Sequence, residues 1–266
     1  HVSAVDDVVS NEIWITATGF LQPPTLYLAD LAPILEGGEP SDLVEMKAEP
    51  SHFDATGLEV TQHFAISTDG TRVPYFQVSR TELPPAEENP TLLYGYGGFE
   101  VSLPPAYSPL AGKAWLERGG TYVVANIRGG GEYGPGWHQA ALKENRHRAY
   151  EDFQAVAEDL VSRGVTTRKR LACRGGSNGG LLTGNMLVRC PGLFGAIVIQ
   201  VPLLDMRRYT QLLAGASWIA EYGDPDTTDW EFIRGFSPYQ LLEEDVDYPA
   251  TLITTSTRDD RVHPGH

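Results

Sequence analysis

Residues 170–187 read Arg-Leu-Ala-Cys-Arg-Gly-Gly-Ser-Asn-Gly-Gly-Leu-Leu-Thr-Gly-Asn-Met-Leu, and the six from Gly175 to Gly180 decide the fold. They match G-x-S-x-G, a pattern in which a strand ends, one serine takes a strained turn and a helix starts at once. Leu171-Ala172-Cys173 supplies the strand. Leu181 to Val188 supplies the helix, stopped by Pro191. The flanking glycines let strand and helix cross where side chains would collide. The turn lifts the hydroxyl of Ser177 away from the backbone and leaves the Asn178 amide at a helix N-terminus, where developing negative charge is favoured. A flexible glycine-rich loop is the competing reading, but the strand before it and the helix after it favour a nucleophile.

Outward from this turn, strand and helix alternate, the mark of a mostly parallel sheet covered by helices on both faces. Upstream lie strands at Thr91–Tyr94 and Thr121–Ile127. A helix capped by Ser108 with Pro109 at its first position ends at Gly119-Gly120. A second helix spans about Tyr150 to Arg163, with Phe153, Val156, Ala157, Leu160 and Val161 on one face. Downstream come β-branched strands at Ala196–Val201 and Ala250–Thr255. Residues 1 to about 80 read as all-β: strands at Glu12–Thr18 and Thr25–Ala29, then a hairpin of Val60–Ser67 and Thr71–Val78 around Asp69-Gly70. The proline- and acid-rich stretch 33–57 reads as a loop, and Pro84 to Pro90 as an exposed connection.

The chain has 266 residues, 41% of them hydrophobic, enough for one large α/β domain with something smaller attached. A formal charge of -15 argues against nucleic acid and anionic membranes as partners. No apolar run could span a bilayer, and no secretory segment opens the sequence. Cys173 and Cys190 read as small buried residues rather than a disulfide, which fits a cytoplasmic protein; a periplasmic or secreted one stays open.

A serine hydroxyl needs a base, and the base needs an acid to hold its tautomer. Asp259 stands just beyond the strand at 250–255, where such an acid belongs. Of the seven histidines only His263 and His266 follow it, and both are too close in sequence to serve. Pro264 suggests instead that a helix opens there. The base is therefore expected beyond residue 266, and residues 1–266 alone are expected to be inactive. Gly129 to Gly134 satisfies G-x-G-x-x-G, but Pro135-Gly136 stands where the helix should open, which argues against a dinucleotide site. His263-x-x-His266 has no third metal ligand in view. No cofactor or metal is expected.

Four stretches together closely resemble the prolyl oligopeptidase family of serine peptidases. They are Tyr94-Gly95-Tyr96-Gly97-Gly98-Phe99, Asn126 to Gly134, Gly175 to Gly180 and Asp259-Asp260-Arg261-Val262. The resemblance runs from about Gly57 to the last residue. It implies an α/β-hydrolase domain over 61–266, lacking its C-terminal part, preceded over 1–60 by a short all-β remnant of a β-propeller. It implies Ser177 as nucleophile and Asp259 as triad acid, with the hydroxyl of Tyr96 and the amide of Asn178 as oxyanion hole. Trp218 would stack on a substrate proline, Phe99, Leu203, Tyr222 and Val262 would complete the apolar pocket, and Arg261 would bind a neighbouring carbonyl. Without the resemblance, Trp218 reads as an ordinary core or interface aromatic.

The resulting expectation is a monomeric serine endopeptidase that cuts short proline-containing peptides after proline, through an acyl-enzyme. The nearest rival is cleavage after Lys or Arg, as in the sibling oligopeptidase B. That needs pocket carboxylates, and Glu221 lies near enough in sequence to keep it open. Two more distant rivals are an esterase on the same fold and a non-catalytic binding domain of that fold.

Overall fold

The computed structural model describes residues 1–39 and 41–266. They form two compact units, residues 1–60 with 105–118 and residues 61–104 with 119–266.

In the first unit, β1 (Val2–Ala4), β2 (Glu12–Ala17), β3 (Thr25–Asp30) and β4 (Val44–Ala48) make an antiparallel sheet in chain order. A helical turn, α1 (Ala32–Leu35), precedes β4. Both lie in the stretch expected to be a loop. Val44, Met46 and Ala48 do alternate with Glu45 and Lys47, but all five residues are exposed. Pairing with β3, not burial, holds this strand. The helix expected after Ser108 is present as α2 (Pro109–Ala111), with the Ser108 side chain accepting the Ala111 amide. It then widens into a π turn over Gly112–Leu116.

The second unit holds a seven-stranded sheet in the order β11-β10-β9-β7-β8-β6-β5. The hairpin β5 (Leu58–Ile66) and β6 (Arg72–Arg80) forms one edge. β7 (Thr91–Gly95), β8 (Thr121–Ala125), β9 (Leu171–Gly176), β10 (Ala196–Gln200) and β11 (Ala250–Thr254) run parallel, and β6 pairs antiparallel with β8. This is the mostly parallel α/β sheet expected from the sequence. Its register matters for function. Gly176 of β9 stands opposite Gln200 of β10, Gln200 opposite Thr254 of β11, and Gly95 of β7 opposite Ala125 of β8. The C-terminal ends of these strands therefore lie level, and the segments that follow them open on one side of the sheet, the usual ligand side of such folds.

Among the further helices are α3 (Pro135–Gln139), α4 (His147–Ser162) and α5 (Asn178–Arg189), with shorter helical turns between β10 and β11. α4 starts three residues before the expected Tyr150. It buries Phe153, Val156, Ala157 and Leu160, while Val161 stays partly exposed. In α5 all nine residues from Asn178 to Met186 are buried, so this helix is core rather than a surface element. α3 corrects the reading of Pro135-Gly136 as a place where no helix opens: Pro135 is its first residue, where proline's fixed φ and missing N–H do no harm. Cys190 is also less buried than expected, while Cys173 lies fully inside β9; both thiols are free.

One buried ion network ties the β8–α3 segment to α4. The Arg128 amide and Nε both donate to Asp152 Oδ2, at 3.0 and 2.9 Å, and Nη2 reaches Oδ1 at 2.6 Å. Nη1 donates to Asp69 in the hairpin turn and holds that carboxyl well below the usual carboxylate range. Asp152 and Arg128 are both buried, so removing one strands the other's charge in a poorly solvating interior. Asp152→Ala should lower stability by about 3–5 kcal/mol, seen as a lower urea midpoint. An unchanged midpoint would mean that Asp69 alone satisfies Arg128.

Candidate active site

Ser177 links β9 to α5 with φ 58° and ψ −118°, outside the regions open to most L-residues. Neighbouring contacts hold it there. The Ser177 amide donates to Gln200 O at 2.9 Å, and the Gly180 and Leu181 amides donate back to Ser177 O at 2.8 and 3.1 Å. The crossing is tight: a Cβ on Gly175 would stand 2.0 Å from Gly179 O. The sequence's strand–serine–helix reading is therefore realised in its local geometry.

The serine opens onto a cavity of about 160 Å³. Tyr96, just after β7, and Phe99 line one part; Leu203, after β10, and Trp218 and Tyr222 line another; Arg261 and Val262, after β11, close it. Eight of the ten residues singled out from the sequence thus meet in one hollow. Ala214 also lines it and is not among those ten. Nothing in the short turns Tyr209–Gln211 and Leu213–Trp218 has a period from which a pocket wall could be read.

The remaining two of the ten, Asn178 and Asp259, do not line the cavity. Asn178 is fully buried at the start of α5. Asp259 is partly exposed, and its Oδ1 accepts the Val262 amide at 2.8 Å and the Arg261 amide at 3.0 Å. Those two amides, Val262 first, hold its carboxyl below the ordinary aspartate range. None of the seven histidines lines the cavity. Burial raises the Tyr96 phenol above its ordinary range, with the Ser177 hydroxyl pulling the other way, so Tyr96 is a protonated donor at neutral pH.

Behind the cavity lies a polar cluster that the sequence does not announce. Glu221, in the turn α6 (Ile219–Tyr222), is only 4% exposed. Its Oε1 accepts the Phe99 amide and Arg146 Nη1, each at 2.9 Å, and its Oε2 lies 2.7 Å from His138 Nε2. Both carboxylate oxygens are engaged away from the cavity. Arg146 is fully buried, with its guanidinium carbon 5.3 Å from the Tyr222 ring centre. In sequence it sits within Lys143-Glu144-Asn145-Arg146-His147-Arg148, which reads as a solvated charged stretch. Among the described residues, no group of three or more His, Cys, Asp or Glu side chains converges to hold a metal.

Residues 107–266 match the prolyl oligopeptidase family. The chain belongs to that family. It is 49% identical over 98% of its length to an uncharacterized peptidase of Sinorhizobium fredii, and 36% identical over 96% to a prolyl endopeptidase of Elizabethkingia miricola. Among solved structures it is similar to a post-proline cleaving enzyme from Rickettsia typhi, with a TM-score of 0.86 and 41% identity over 96% of this chain. It is likewise similar to prolyl oligopeptidase B from Galerina marginata bound to a 35-residue hydrolysis and macrocyclization substrate, with a TM-score of 0.87 and 33% identity over 100% of this chain. The chain spans 35% and 36% of the two relatives' lengths, and 36% and 38% of the two solved chains. Within this member of the prolyl oligopeptidase family the elbow leaves no room for a side chain at Gly175. Gly175→Ala should cost about 1–3 kcal/mol as overpacking against backbone, and should slow labelling of Ser177 by a fluorophosphonate in the full-length protein. Wild-type stability together with a wild-type labelling rate would show that the crossing can yield.

Proposed function

We propose that the full-length protein is a serine endopeptidase that hydrolyses peptides on the carboxyl side of proline. One observation carries this reading: Ser177 shares its cavity with a flat indole and an apolar wall, and no free carboxylate lines it. A cavity of ~150 Å³ lined by apolar side chains is known to hold a ring the size of benzene, so the hollow suits a pyrrolidine ring. Proline offers a flat apolar face and no N–H to recognise, and Trp218, Phe99, Tyr222, Leu203 and Val262 ask for none. Arg261 is the donor available for a carbonyl beside the proline.

In the proposed reaction Ser177 Oγ attacks the scissile carbonyl carbon as its proton passes to an imidazole. The oxyanion is held by the Tyr96 hydroxyl and the Asn178 amide. The C–N bond then breaks, the amine leaves with the proton, and an ester to Ser177 remains. Water adds to that ester, releasing the acid and restoring the hydroxyl. Asp259 Oδ2, which accepts neither of the two amides that fix Oδ1, is the oxygen that would steer the imidazole. The described residues bring no histidine to the cavity, so this is a statement about the full-length protein.

Cleavage after Arg or Lys would need a carboxylate facing the cavity. Glu221 is the candidate by sequence, and its commitment to Arg146, His138 and the Phe99 amide argues against it. Full-length protein should therefore hydrolyse a proline-linked chromogenic peptide in preference to an arginine-linked one; the opposite preference would refute the assignment. Ser177→Ala should abolish turnover and keep peptide binding. Tyr96→Phe should lower kcat by about a hundred- to a thousandfold, the usual effect of losing one oxyanion donor. A Tyr96→Phe enzyme with the wild-type rate would remove that phenol from the site.

A further inference from the structure

Two residues that line the apolar cavity, Phe99 and Tyr222, and the two proposed to hold the oxyanion are fastened to the same buried ion pair. Arg146 Nη2 donates to Asn178 Oδ1, and Nη1 donates to Glu221 Oε1 at 2.9 Å. Asn178 Oδ1 also accepts the Tyr222 hydroxyl at 2.8 Å, while Asn178 Nδ2 donates to Tyr96 O at 2.7 Å. Glu221 Oε1 in turn accepts the Phe99 amide at 2.9 Å. Phe99 and Glu100 both have φ 56°, a conformation that non-glycine residues hold only when their surroundings impose it. The Phe99 ring meets the Tyr222 ring edge-on, with centres 5.6 Å apart.

We infer that Arg146 and Glu221 are positioning residues that couple filling of the apolar cavity to alignment of the oxyanion donors. The inference rests on the proposed peptidase reading. A ring entering between Phe99 and Trp218 presses on Phe99 and Tyr222. Phe99 answers through its amide to Glu221, and Tyr222 through its hydroxyl to Asn178. Both routes end on the Arg146 guanidinium, whose rigid planar fork has no low-cost alternative in a site with no solvent access. Asn178 carries the proposed oxyanion amide on its own backbone, and its side chain grips the backbone of Tyr96, the other proposed donor. A correct side chain in the cavity therefore speeds the chemical step as well as tightening binding, which is how binding energy raises kcat rather than only lowering KM.

The test compares two peptides that differ only in having proline or alanine before the scissile bond, using full-length wild type, Tyr222→Phe and Glu221→Gln. Tyr222→Phe keeps the ring and loses only the bond to Asn178. Glu221→Gln keeps the shape and loses the charge that holds Arg146. The wild-type ratio of kcat for proline over alanine should fall about three- to tenfold in Tyr222→Phe, the range one neutral hydrogen bond supplies. It should fall about ten- to a hundredfold in Glu221→Gln, where a charge-assisted bond is lost. Labelling of Ser177 by a fluorophosphonate, which leaves the cavity empty, should slow far less than proline turnover. If both variants lower kcat equally for the two peptides, the network is merely structural and the coupling is refuted. Should Glu221→Gln fail to fold, Tyr222→Phe decides alone. Wild-type protein that neither labels nor cleaves would overturn the peptidase reading and this one together. A normal wild type whose variants keep the full proline-over-alanine ratio would overturn only the coupling.

Discussion

The closeness with which β9 and α5 cross governs the rest of the active-site region. A side chain at Gly175 would run into the Gly179 carbonyl, and one at Gly179 would stand 2.8 Å from Gly95 O at the end of β7. With no room for a gradual bend, one residue takes the whole reversal, and Ser177 does so at φ 58°. The strain is held by the α5 amides that donate to the Ser177 carbonyl and by a core that buries most of that helix. The parallel register then brings the segments after β7, β10 and β11 to the same level, which is why residues between Tyr96 and Val262 meet at one serine.

Much of this is legible in the sequence because the signals are local. Glycines on both sides of one serine, an apolar strand before and a helix after need only about twenty adjacent residues to be recognised. The strands β7 to β11 show up through short β-branched or apolar runs, the pattern of a sheet covered on both faces. By contrast, β4 is hidden among prolines and acids, since it has no buried face. Placing Trp218 in the cavity depends on resemblance to a family, since the turns that carry it have no period of their own.

The charged interior is not legible at all. Arg146 and Glu221 are 75 residues apart in the chain, and Arg128 and Asp152 are 24 apart. No spacing rule links such pairs, and each charged residue alone reads as solvent-facing. Their burial is offset by opposite charge and by hydrogen bonds: Arg128 is held by Asp152 and Asp69, and Arg146 by Glu221 and the Asn178 side chain, with only its Nε left without a partner. The same network occupies both carboxylate oxygens of Glu221, the acidic residue that lies near the pocket residues in sequence.

Cys173 lies fully buried in β9, four residues before the serine, and burial pushes its thiol well above the ordinary range. Closed off and protonated, it is inert to thiol reagents for as long as the central sheet stays shut. It therefore acts as a clock built into the strand that leads to Ser177. Its rate of modification follows the free energy of opening that strand, so the rigidity of the sheet beneath Ser177 can be timed without any substrate.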